Sequence, residues 1–355
     1  MDFALSEREQ EMTEAFGRLF ERESPPAVVR AAEPGGFSPE LWAALVAVGV
    51  PAMGLPEADG GASVVELALL CELAGRALAP APVVEALCCV RLLARLGQPG
   101  AVAVGAIVDE LTAGAIGTVV LRPASAGAWP IVPAGAAAQL AVAAVDGALV
   151  VARRSEGRVH PYGHVHGSAP LAAWDLTIGP DDLVVNGVDA TAVLDDAVVE
   201  WRILTAAALM GLARRALEVG AEYAATRRAF GAPIGRFQGV AHPLADAAVD
   251  IDGGTFLVRR AAWLVDQGHR VDAARTTPTP TGPGGPVATD TTARCVHVHG
   301  GYGAALEYDI QLFHQRARAW SSMLGDPADD LHAVGTALLG EGRRAAAEGG
   351  RWTSS

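Results

Sequence analysis

The stretch Arg227-Arg228-Ala229-Phe230-Gly231-Ala232-Pro233-Ile234-Gly235-Arg236-Phe237-Gln238 interrupts two long helical patterns with a turn suited to an anion. Upstream, Ile203, Ala206, Met210, Ala213, Leu217, Gly220 and Ala224 recur at three- and four-residue steps, which places them on one helix face. Downstream, Val240, Leu244, Ala247, Ile251, Gly254, Val258, Ala261 and Val265 keep the same rhythm. The two segments are expected to pack as an antiparallel αα-hairpin, with small residues permitting close approach. Between them, Gly231 and Gly235 allow unusual backbone shapes and Pro233 fixes one φ. Arg227, Arg228 and Arg236 offer planar forks that match phosphate oxygens. The plainer alternative is a basic interhelical turn whose arginines are only solvated.

The chain of 355 residues is long enough for two or three domains and a sizeable core. A hydrophobic fraction of 51% and a formal net charge of −13 argue against a nucleic-acid binder. The 27 basic residues are all arginine, so any phosphate must be met locally. No apolar run approaches the roughly 20 residues of a membrane span, and the start carries no basic region ahead of an apolar one, so a cytoplasmic protein is expected. Cys71, Cys88, Cys89 and Cys295 show neither zinc spacing nor a disulfide framework and read as small core residues.

Residues 1–112 read as helical. Ser6 with Glu9 forms a capping box, and Ser38 caps a second helix that carries Leu41, Trp42 and Leu45 and ends at Gly49 and Pro51. Residues 113–195 change to short β-rich runs, namely Gly117–Leu121, Leu140–Val145, Leu149–Ala152 and Val193-Leu194. Residues 196–355 return to helices. Pro243 is expected to kink or locally rearrange the second helix of the hairpin, Thr276 to Pro286 to form a loop, and Pro327 to Glu348 to form a closing helix. The fold class expected is α+β, mostly α: a helical domain, a small β-domain and a four-helix bundle.

The wording of the central stretch, R-x-x-F-G-x-P-I-G-x-F-Q followed by Leu244-Ala245-Asp246, resembles the C-terminal signature of the acyl-CoA dehydrogenase family. Leu55-Pro56-Glu57, Gly60-Gly61 and Gly75-Arg76 with Leu78-Ala79-Pro80 resemble its N-terminal domain. His297, Gly300, Gly301 and Gly303 with Glu307-Tyr308 resemble its Q-x-x-G-G-x-G-x-x-x-E-Y motif, with His in place of Gln. The resemblance implies FAD as cofactor. Arg227, Phe230, Gln238, His297, Gly300, Gly301 and Gly303 would contact the pyrophosphate and adenosine of an FAD held mainly by a neighbouring subunit. It also implies α,β-desaturation of an acyl-CoA, in which a carboxylate takes the α-proton and the flavin the β-hydride, with an electron-transfer flavoprotein or an equivalent as acceptor. Of the family's flavin-ring loop only Pro123 and Ser125 are echoed. His297 and His299 lack a third ligand for a metal, and none is expected.

The family's base is what departs. Matching Gln315-Arg316-Ala317-Arg318 to the family's R-D-A-R step puts Leu324 at the usual Glu, with Asp326 two residues on. In members that carry the base on an earlier helix it precedes an Arg. Here Trp201 precedes Arg202, and Glu200 is one residue off, turned by roughly 100°. Asp326 reads as an N-cap for the helix starting at Pro327, and Glu200 as an acid near a helix N-terminus. Three readings follow. The favoured one is the base-lacking subunit of a hetero-oligomer whose homologous partner carries the Glu, as in actinobacterial sterol side-chain degraders. The others are a homo-oligomeric dehydrogenase with a displaced base at Asp326 or Glu200, and a redox-inactive CoA-binding or scaffold protein.

Overall fold

A computed structural model describes residues 4–96, 101–163, 165, 167–276 and 284–325. Six helices come first: α1 (Glu7–Glu23), α2 (Pro26–Ala32), α3 (Pro39–Ala47), α4 (Val64–Arg76), α5 (Val83–Ala94) and α6 (Ala101–Thr112). The Ser6 and Ser38 hydroxyls accept from the Glu9 and Leu41 amides and fix where α1 and α3 begin. Ser63 and Glu66 form a second capping box, at the start of α4.

Seven short strands follow: β1 (Gly117–Val119), β2 (Ile131–Val132), β3 (Leu140–Val145), β4 (Ala148–Arg153), β5 (Val159–Pro161), β6 (Ala172–Trp174) and β7 (Leu183–Val185). They form two sheets, ordered β1-β3-β4-β7 and β2-β6-β5. β3 and β4 pair Val145 with Ala148 across Asp146-Gly147, both at positive φ, the two-residue turn whose twist suits a hairpin. Every residue of β3 is buried.

The helices resume with α7 (Ala190–Thr226), which begins where the Asp189 carboxylate accepts from the Thr191 and Ala192 amides. Val193 and Leu194, read as a β-run, therefore lie in the first turns of a helix. A two-residue run has no period of its own, and the cap decides it. After the hairpin of β8 (Arg228–Ala229) and β9 (Ala232–Pro233) come α8 (Gln238–Asp266), α9 (Arg270–Thr276), α10 (Gly284–His299) and α11 (Ile310–Ser321). The apolar faces expected on α7 and α8 are buried except for the half-buried Val240. Arg270, beyond the end of α8, reaches back to Asp196 in the first half of α7, so the pair is antiparallel. α8 runs unbroken through Pro243, whose carbonyl accepts from Arg294. Thr276 closes α9 and Gly284 to Pro286 open α10, so the loop expected there is shorter at both ends, and its middle lies outside the described residues. The helix expected from Pro327 to Glu348 also lies outside them.

α7 is the axis against which α4, α5, α8, α10 and α11 pack. Its contact with α4 is set by two glycines. A Cβ on Gly75 would stand 1.9 Å from the Ala208 carbonyl oxygen, and one on Gly211 would stand 1.8 Å from that of Glu72. Neither backbone oxygen can move without its helix. Gly211→Ala is expected to lower the thermal midpoint measurably, because overpacking costs about 1–3 kcal/mol or more. The gain in helix propensity returns only about 1 kcal/mol. An unchanged melting curve would contradict this packing. All four cysteines are free and buried, and burial pushes their thiols up, that of Cys295 to about 12, which leaves them protonated and inert. Among the described residues no helix is long and apolar enough to cross a membrane.

Candidate functional site

The central stretch folds as a tight hairpin between α7 and α8. Ala229 pairs with Ala232, which leaves Phe230 and Gly231 as the two turn residues, at φ +50° and +79°. Both signs are those of a type I′ turn. Glycine accepts them freely, whereas a Phe there costs roughly 1–2 kcal/mol. The strain presents the Phe230 ring to solvent at 97% exposure, with Phe237 edge-on at 6.1 Å. Arg227, Arg228, Arg236 and Gln238 are all exposed around it. Phe237 precedes α8 and offers no capping side chain, so the first amides of that helix point outward uncapped. An exposed, uncapped helix start beside several guanidiniums is an anion site by its physics.

The glycine-rich stretch lies beside it. Gly300–Ala304 forms a 3-10 turn at the end of α10, and the Arg227 guanidinium sits 5.9 Å from the centroid of the Tyr302 ring. A Cβ on Gly303 would meet the Val296 carbonyl oxygen at 2.4 Å, so only glycine closes this turn. Gly300 and Gly301 are exposed with open space above them. Beneath, His299 is buried, stacks on Tyr223 at 4.1 Å and donates from Nδ1 to the Cys295 carbonyl at 2.7 Å. His297, two residues earlier, is exposed. Two positions apart on a helix point to different faces, so the two imidazoles do not converge. The structure thus brings Arg227 to the glycine turn and leaves Phe230, Gln238, His297, Gly300 and Gly301 facing outward. Such a surface fits an anionic group.

The base position is a separate place. Leu324 lies in the turn after α11 at 9% exposure, and its carbonyl accepts from Arg122, which comes from the loop following β1. Arg122 thereby spans the gap between the β-domain and the turn that would hold a base. Asp326 lies outside the described residues. Glu200 is not an acid at a helix start: it lies eleven residues into α7, 2% exposed, and is ion-paired with Arg91 at 2.9 Å, Arg270 at 2.8 Å and Arg95. Its carboxylate is the centre of an ion-pair cluster that ties α5 and the start of α9 to α7. The offset alone did not reveal this, because its partners lie on α5, just after it and at the start of α9.

A 70 Å³ cavity adjoins the base position, lined by Gly75, Glu85, Trp201, Thr205, Trp320 and Met323 among others. Glu85 was not singled out in the sequence. Its only signal is a lone acid in the apolar run Val83-Val84-Glu85-Ala86-Leu87. A larger cavity of 640 Å³ lies between α1, α2 and the first turn of α11 and does not include the base-position turn.

The comparisons with known proteins agree with this architecture. Residues 6–101 match the acyl-CoA dehydrogenase N-terminal domain and residues 192–328 the acyl-CoA dehydrogenase C-terminal domain. The chain is 30% identical over 340 residues to the acyl-CoA dehydrogenase IpdE2 of Mycobacterium tuberculosis, covering 92% of this chain and 96% of that protein. It is 28% identical over 337 residues to IpdE2 of Mycolicibacterium smegmatis, covering 93% and 98%. The ChsE4-ChsE5 complex of Mycobacterium tuberculosis shares the fold, with a TM-score of 0.79 and 24% identity over 96% of this chain and 99% of that one. FAD is the cofactor of the family these matches define, whose members are oxidoreductases acting on CH–CH bonds. With both of its domain signatures and a relative of 30% identity spanning nearly its whole length, the chain belongs to the acyl-CoA dehydrogenase family.

Proposed function

We propose that this chain is the base-lacking, flavin-supporting subunit of a hetero-oligomeric acyl-CoA dehydrogenase, with a homologous partner supplying the Glu. The observation that carries the reading is Leu324: an aliphatic, buried side chain at the base position, its carbonyl engaged by Arg122. It has no lone pair for an α-proton, and the alternative carboxylate, Glu200, is committed to three arginines. FAD, when bound, supplies the hydride acceptor. This chain's contribution is to grip the anionic end of the partner's cofactor through Arg227, Gln238 and the amides of Gly300 and Gly301. Phe230 covers it from the hairpin tip. An electron-transfer flavoprotein or an equivalent would reoxidise the assembly. The ChsE4-ChsE5 complex, a pairing of two named chains on this fold, supports such an assembly.

The test is flavin content. The chain expressed alone is expected to purify with little FAD, and co-expressed with a Glu-bearing homologous subunit from the same genome to purify yellow. Stoichiometric flavin in the chain alone would sink the reading. Within the complex, Arg227→Ala is expected to weaken FAD retention about tenfold at limiting FAD. That is the low end for a charge-assisted contact, appropriate to an exposed guanidinium. Unchanged retention would remove Arg227 from the cradle.

A further inference from the structure

Two side chains at the end of α7 meet two at the end of α10. Tyr223 and Arg227 stand four residues apart on one face of the α7 terminus, and His299 and Tyr302 three apart at the close of α10 and in the turn after it. Tyr223 stacks on His299 with ring planes 21° apart, and the Arg227 guanidinium lies 5.9 Å from the Tyr302 ring centroid. Tyr308 ties the two contacts together: its ring centroid is 6.4 Å from that of Tyr223, 6.1 Å from His299 and 5.4 Å from Tyr302. The group is anchored on both sides. The Cys295 carbonyl holds His299 by its Nδ1, while Arg30 pairs with Asp309 at 2.6 Å and donates to the Leu306 carbonyl. The Arg227 backbone is fixed as well, its N–H donating to the Tyr223 carbonyl at 2.8 Å. Its guanidinium is exposed and, among the described residues, meets no carboxylate, so the face of Tyr302 is what holds it.

We propose that Tyr302, backed by Tyr308, is a positioning residue that holds the Arg227 guanidinium ready for the pyrophosphate of FAD. The inference rests on the reading above, that Arg227 grips the anionic end of the flavin. A free arginine at a helix end samples many rotamers and loses them on binding; one already seated on a ring has lost part of that freedom beforehand, so the anion is bound more tightly. The ring is also the right kind of support. It attracts the cation without occupying the N–H donors, whereas a carboxylate in its place would occupy them and repel phosphate. Tyr302 is 49% exposed, so the core gains little from it. The alternative role, a ring that only packs the glycine turn, would affect FAD binding whether or not Arg227 is present.

The experiment titrates FAD into the flavin-stripped co-expressed pair, followed by flavin fluorescence, with this chain unaltered or carrying Tyr302→Leu, Arg227→Ala or both. Tyr302→Leu is expected to weaken FAD binding about two- to fivefold, the range of an exposed cation–π contact. Tyr302→Phe, which keeps the ring, is expected to bind as the unaltered chain does. On the Arg227→Ala background Tyr302→Leu is expected to add nothing, because its effect passes through the guanidinium. Tyr302→Asn, a side chain that turns accept, takes its place in the same cycle if the Leu variant does not assemble. An equal loss with and without Arg227 would overturn the proposal, since the ring would then act on the cofactor directly or through the packing of the turn. Unchanged affinity in Tyr302→Leu, or a Phe variant as weak as the Leu variant, would overturn it too, and each of these leaves the gripping role of Arg227 in place. If Arg227→Ala itself leaves FAD affinity unchanged, the gripping reading fails and the proposal falls with it.

Discussion

In the co-expressed pair, changing the partner's base Glu to Gln should lower acyl-CoA desaturation by about 10²–10⁴-fold, the typical loss for a positioned base. Leu324→Ala in this chain should leave turnover within about twofold. The asymmetry follows from what the two side chains can do: an aliphatic group has no proton acceptor to lose, and the Leu324 carbonyl bonded by Arg122 belongs to the backbone. The assay follows electron-acceptor reduction with acyl-CoAs of several sizes. A pair that stays active without the partner's Glu would mean that the base lies in this chain after all.

Glu200→Gln should cost about 3–5 kcal/mol of stability, read as a shift in the urea midpoint at unchanged slope, because removing one partner strands buried charge. The Arg91 side chain is 6% exposed, and the remaining carboxylate near it, Asp266, is 3.9 Å away and already accepts from the Val64 and Val65 amides at the start of α4. Arg95 and Arg270 lose the same partner. The cluster ties α4, α5, α7, α8 and the start of α9 together, so the loss should appear in global unfolding. A catalytic Glu200 would give the opposite signature, with turnover abolished and the midpoint unmoved.

The helical hairpin was legible because α7 and α8 are long and their apolar faces repeat, and the Ser6 and Ser38 caps because the capping chemistry is local. β3 and β4 could be read for the same reason, as apolar runs divided by Asp146-Gly147. Within the expected four-helix bundle, α10 and α11 were not located individually. α10 opens on Gly284-Gly285-Pro286 and buries Thr291, Thr292 and His299 where an apolar stripe is expected, while α11 buries Gln311 and Arg316. Arg316 is held by Glu33, an ion pair spanning nearly the whole chain that no local pattern announces. The same limit applies to the site. The arginine-rich turn could be read from its residues and the family wording, and Leu324 from alignment to a motif. The three arginines around Glu200 and the meeting of Glu85 with Trp201 depend on tertiary packing between helices far apart in sequence.

The most direct measurement of the central claim is turnover by the isolated chain, supplied with excess FAD and an artificial electron acceptor. With Leu324 at the base position and Glu200 locked in ion pairs, no desaturation above the uncatalysed background is expected for any acyl-CoA tested. Steady turnover by the isolated chain, lost on Asp326→Asn, would contradict the account and place the base at that carboxylate.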